Sequence, residues 1–96
     1  MTKAPARRPL VALLSLLEKR WVLRILWELR GDPMRFREIQ ARLGRMSPTI
    51  LNERLAEMRA AGLVDLEPEG YTLTTKGRDL LKVFKPMEAW ADRWEK

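Results

Sequence analysis

Residues 35–61, RFREIQARLGRMSPTILNERLAEMRAA, read as two short helices joined by a tight turn. In the first, Phe36, Ile39 and Leu43 share one side at the three- and four-residue spacings of an amphipathic helix. Gly44 supplies a left-handed stop, and Arg45 and Met46 carry the chain round. Ser47 followed by Pro48 is a restart signal: the hydroxyl can accept from a free backbone N–H, and proline suits the first helical position. In the second helix Leu51, Leu55 and Met58 form an apolar stripe. Thr49, Glu53, Ala56 and Ala60 lie roughly opposite it, with Asn52 beside them. One face is greasy, the other small and polar. A helix so divided can pack on its partner and also enter a DNA major groove.

The 96 residues are enough for one domain with a modest core, and few enough that a partner subunit would add to its stability. An apolar fraction of 46% places the chain with folded globular proteins. A net charge of +6 and a pI near 10.3 favour a polyanionic partner, although many small basic proteins bind nothing acidic. There is no cysteine, which removes disulfides, thiolate metal sites and thiol redox sensing together. There is no histidine, which removes imidazole ligands and nucleophile–histidine pairs. No metal or cofactor is expected. Carboxylates and lysines are present, but no pair stands in a recognisable catalytic constellation, so an enzyme is not expected either.

No stretch approaches the roughly 18 uninterrupted apolar residues of a membrane span. Leu10 to Leu17 follows Lys3, Arg7 and Arg8 in the manner of a signal peptide. It lacks a small-residue cleavage site and runs straight into Glu18–Lys19–Arg20, so that reading is rejected. A cytoplasmic protein without membrane contact is the expectation.

Residues 1–8, with Pro5 and two arginines, read as a flexible basic arm, either solvated or reaching for phosphate. The remainder, 9–96, reads as one domain. Pro9 opens a helix over Leu10–Leu17 that is apolar nearly all round and needs cover from two sides. A second helix spans about Trp21 to Leu29, with Val22, Ile25, Leu26 and Leu29 inward and Trp21 and Trp27 flanking. The tryptophans suit core and interface packing. An effector pocket beside them would need polar anchors that the sequence does not identify. Gly31–Asp32–Pro33 is a turn.

After the paired helices Gly62 caps, residues 63–66 have strand composition, 67–70 form a turn and 71–73 return. Thr74 caps a final helix over 75–94, which Pro86 kinks or divides. Trp90 and Trp94 sit at i and i+4 on this helix, hard to bury in so small a domain. The expected architecture is mainly α with a small β-hairpin wing at 63–73. It is a winged helix-turn-helix, dimerising through its N- and C-terminal helices at Leu10, Leu13, Leu14, Leu17, Met87, Trp90 and Trp94.

Several stretches carry a family likeness: KRWVLRILWEL at 19–29, MRFREI at 34–39, MSPTILNERL at 46–55, AGLV at 61–64 and YTLTTKG at 71–77. In register over about three-quarters of the chain, they resemble the HxlR-type bacterial and archaeal transcriptional regulators, relatives of the MarR regulators. The resemblance implies homodimers bound to palindromic operator DNA. Many members sense electrophiles or oxidants through a cysteine near the N-terminus; this chain has none, so that mechanism does not transfer.

Within this frame Thr49, Asn52 and Glu53 are expected to face base edges, with Pro48 and Ala56 in apolar contact. Arg35, Arg37 and Arg45 are expected to hold phosphates and set register. Arg54 lies towards the side of the helix, where it serves either role or neither. The wing is the difficulty. Residues 62–74 contain Asp65, Glu67 and Glu69 and no lysine or arginine, whereas residues 1–30 carry seven basic and two acidic side chains. Phosphates should repel such a hairpin, so either the wing leans away from the duplex or the domain is a protein-interaction module on a winged fold.

Overall fold

The computed structural model describes residues 8–96. It contains α1 (Arg8–Leu17), α2 (Val22–Glu28), α3 (Phe36–Arg42), α4 (Pro48–Ala60), β1 (Val64–Glu67), β2 (Gly70–Leu73), α5 (Thr75–Phe84) and α6 (Pro86–Trp94). The element order is the one expected, with three refinements. Arg8, assigned above to the basic arm, is the first residue of α1, and the rest of that arm lies outside the described residues. The second helix is a residue shorter at each end. The final helix is divided at Pro86, which has no N–H to donate and whose ring crowds the preceding turn.

Both ends of the paired helices are decided by backbone hydrogen bonding. At the end of α4 Gly62 adopts φ +78°; its N–H donates to the Arg59 carbonyl at 2.9 Å, and the Leu63 N–H to Met58 at 2.9 Å. This is a Schellman closure, and the buried Leu63 and Met58 supply its apolar contact. At the end of α3 Gly44 (φ +71°) repeats the pattern, donating to Ala41 at 3.2 Å while Arg45 donates to Gln40 at 2.8 Å. At the start of α4 the Ser47 hydroxyl accepts from the Ile50 N–H at 3.3 Å.

One core unites these elements. Val22, Ile25, Leu26 and Leu29 of the second helix and its C-cap meet Ile39 and Leu43 of the third. They also meet Leu51, Leu55 and Met58 of α4, and Leu63, Val64 and Leu73 of the hairpin region. Phe36, placed on the inner stripe by its spacing, is half-buried at the margin. The hairpin pairs Val64 with Leu73 and Glu67 with Gly70 in antiparallel register. It is tied to the loop before α3: the Met34 N–H donates to the Tyr71 carbonyl at 2.9 Å and the Tyr71 N–H returns to Met34 at 2.7 Å.

The terminal helices contribute no fully buried residue. Leu16 and Leu17 pack against the core from α1, while Leu10 and Leu14 are 58% and 47% exposed. On α6 Met87 and Trp90 are more than half exposed and Trp94 is 69% exposed; the two indole rings stack with centroids 6.0 Å apart. Covering either tryptophan is worth roughly 3 kcal/mol at the usual area coefficient.

Candidate nucleic-acid interface

Helix α4 divides as its periodicity predicts. Leu51, Leu55 and Met58 are at most 1% exposed, and Pro48, Thr49, Asn52, Glu53 and Ala56 all lie on the solvent side. Thr49 and Asn52 make no side-chain hydrogen bond or ion pair among the described residues, so their donors and acceptors are uncommitted. Glu53 is held only by an exposed 3.7 Å approach to Arg54. The face is polar, small in relief and close to the helix N-terminus, where backbone N–H groups favour an anion.

The arginines separate into two groups. Arg35, Arg37 and Arg45 are exposed, and their guanidinium groups pair with no carboxylate among the described residues. Arg35 is the N-cap of α3, its backbone N–H donating to the Glu38 carboxylate at 2.7 Å. Arg45 sits at φ +59°, a left-handed conformation costly for a residue with a Cβ. Gln40 supports that turn by donating from Nε2 to the Met46 carbonyl at 2.9 Å. Arg24 and Arg42, by contrast, both pair with Glu28, at 3.6 and 2.9 Å.

Arg54 belongs to neither group. Its side chain is 18% exposed; Nε donates to the Arg20 carbonyl at 2.9 Å and a terminal nitrogen to Glu57 at 3.3 Å. Glu57 in turn accepts from Lys19 at 3.0 Å. That hydrogen bond holds the Glu57 carboxyl below its ordinary pKa, with the nearby charges of Lys19 and Arg54 acting in the same direction against partial desolvation. Arg54 therefore ties α4 to the turn between α1 and α2, where Trp21 adopts φ +84° with the Arg20 guanidinium 5.1 Å from its ring centre. The sequence leaves base contact, phosphate contact or neither open for Arg54; what the structure adds is this internal tie to the Arg20 carbonyl and Glu57. Lys19 and Glu57 carry no signal in the sequence because they lie 38 residues apart, and Gln40 carries none because its bond to Met46, six residues on, depends on the turn geometry.

The hairpin tip keeps its acidic character: Asp65, Glu67 and Glu69 are exposed. Its position is set by Gly70 (φ +134°), where a Cβ would meet the Met34 carbonyl oxygen at 2.6 Å. Among the described residues no helix is long and apolar enough to cross a membrane, and no acidic or sulfur cluster could hold a metal.

A core built from α2, α3 and α4, a free polar face on α4 and a two-stranded hairpin packed beside them define a winged helix-turn-helix protein. The chain belongs to the family described as HxlR-like helix-turn-helix, whose sequence profile matches residues 16–96. It is 41% identical over 87 residues to the HTH-type transcriptional regulator YodB of Bacillus subtilis, covering 83% of this chain and 78% of that one. It is 38% identical over 87 residues to the uncharacterized HTH-type transcriptional regulator YvaP of the same organism, covering 83% and 81%. The crystal structure of quinone-bound YodB superposes with a TM-score of 0.81 at 40% identity, over 90% of this chain and 98% of that one. A possible HxlR family transcriptional factor from Thermoplasma volcanium shares the fold, with a TM-score of 0.76 at 24% identity over 99% and 88% of the two chains. The chain is a transcriptional regulator of the helix-turn-helix HxlR type.

Proposed function

We propose that the protein binds palindromic operator DNA in the cytoplasm as a homodimer, each subunit placing α4 in the major groove of one half-site, and that it is not an enzyme. Thr49, Asn52 and Glu53 read base edges: asparagine can take a bidentate pair of bonds to adenine, and glutamate can accept from the cytosine amino group. Pro48 and Ala56 make apolar contact, while Arg35, Arg37 and Arg45 hold phosphates. The observation that carries this reading is the polar face of α4, whose Thr49 and Asn52 are uncommitted, flanked by Arg35, Arg37 and Arg45, whose guanidinium groups pair with no carboxylate among the described residues. The subunits pair through Leu10, Leu13, Leu14, Met87, Trp90 and Trp94, which α1 and α6 leave wholly or partly exposed; Leu17 joins them with only its outer edge, since it packs on its own core.

Selection of bound sites from random duplexes tests specificity and half-site spacing together, and two half-sites about one helical turn apart are expected. Observed affinity should fall steeply with salt, and Arg35→Ala should flatten that slope by about one. The exposed acidic wing favours a second reading, a protein-interaction module. Absence of duplex affinity in dilute salt, together with capture of a protein partner, would establish that reading instead.

A further inference from the structure

Between α2 and the α5–α6 corner lies an open cavity of about 280 Å³, walled by Leu23, Leu26, Trp27, Leu81, Phe84 and Met87. A second cavity of about 470 Å³ adjoins it and shares Trp27, Leu81 and Glu88. The second is lined by four cations, Arg30, Arg78, Lys82 and Lys85, against the single carboxylate of Glu88. Arg30 is held over the Trp27 ring at 4.0 Å, with its guanidinium donating to the Trp27 carbonyl at 2.9 Å. Lys85 has no ion pair among the described residues, and Lys82 has only an exposed 3.9 Å approach to Asp79. An apolar pit thus opens directly onto a rim with an excess of three positive charges, and both share one indole.

We propose that this paired cavity binds a small organic anion, an aryl or branched aliphatic carboxylate whose apolar body fills the pit and whose carboxylate meets Arg78, Lys82 and Lys85. Such sites combine an apolar lining with a few converging polar groups. The charge of the rim selects this occupant over a second copy's α1. That helix is apolar enough for the pit but begins with Arg8 and contains no acid to answer the rim. Glu88, on the same rim, opposes the bound carboxylate and so limits affinity. The proposal goes beyond the DNA reading and shares with it only Met87, which walls the pit at the margin of the proposed subunit interface.

The test uses the full chain without DNA, titrated with 2-naphthoate and with its uncharged counterpart 2-naphthalenemethanol, read by calorimetry and tryptophan fluorescence. Saturable binding of one naphthoate per chain is expected, with the alcohol at least tenfold weaker. The exposed pair Lys82→Gln and Lys85→Gln should weaken naphthoate at least fivefold and leave the alcohol unchanged. Glu88→Gln should tighten naphthoate at least twofold. Equal binding of acid and alcohol, or naphthoate affinity indifferent to these substitutions, would overturn the proposal. So would no binding by either compound, the result expected where a second copy fills the groove.

Discussion

Gly77 is the third residue of α5, where helix propensity alone favours alanine by about 1 kcal/mol. The structure reverses that sign. A Cβ at Gly77 would land on the Leu63 carbonyl oxygen and lie 3.3 Å from Leu73 Cδ2. The carbonyl has no room to yield: it accepts from the Thr74 N–H at 3.0 Å, while the Leu63 N–H is committed to Met58 at 2.9 Å. The Thr74 hydroxyl also donates to Gly62 at 2.6 Å and accepts from the Gly77 N–H at 3.0 Å. Gly77→Ala must therefore lift the first turn of α5 off the α4–β1 junction. Overpacking costs about 1–3 kcal/mol and each strained hydrogen bond about 1 kcal/mol more. Against the propensity gain, a net loss of about 2–3 kcal/mol is expected, or roughly 10–20 °C in Tm for a domain of this size.

Urea unfolding at one fixed protomer concentration measures this, with the slope of free energy on denaturant unchanged. Gly31→Ala is the control. It lies outside the helices with nothing within 4 Å of its added methyl, and should gain a few tenths of a kcal/mol, up to about 1. A Gly77→Ala protein as stable as the parent, or more so, would refute the close approach of α5 to Leu63.

Arg54→Met should cost about 1–2 kcal/mol of stability by freeing the Arg20 carbonyl, and leave the salt slope of DNA binding unaltered. A slope reduced by about one at unchanged stability would place Arg54 on a phosphate instead. Glu57 has a folded pKa below the ordinary 4.5, so its contribution to stability is present above that pH and is lost as pH falls through the lowered value. Glu57→Gln should remove that segment of the acid unfolding profile; a profile identical to the parent's would dismiss the Lys19 contact. Trp90→Glu combined with Trp94→Glu should convert the proposed dimer to folded monomer in light scattering, since neither ring supports the subunit's own core. A dimer that survives both changes would exclude α6 from the interface.

The two-helix unit was legible because its signals are local. Ser47–Pro48 and the glycines at 44 and 62 act within a few residues, and the stripe of Leu51, Leu55 and Met58 repeats at the helical period. A break at Pro86 was legible for the same reason, although the sequence left a kink and a division equally open. The exposed side of α4 followed once its apolar side was known, because a helix has only one circumference. Arg54 was not legible. Its position on the helix surface is compatible with bases, phosphates or solvent, and only the arrival of the α1–α2 turn, 34 residues earlier in the chain, occupies it. The anchors around Trp27 were hidden in the same way: Arg78, Lys82 and Lys85 lie 51 to 58 residues further on and converge on it only through the packing of α5 beside α2.

What the sequence determined alone was the set of elements, their order and the apolar sides of α2 and of the paired helices, because caps, prolines and periodicity act over a few residues of chain. The tertiary structure decided which charges are spoken for and which are free, and where backbone approaches backbone too closely for any side chain, as at Gly70 and Gly77. Those are contacts between residues remote in sequence, and pairwise distance in space is the one quantity a local pattern does not contain.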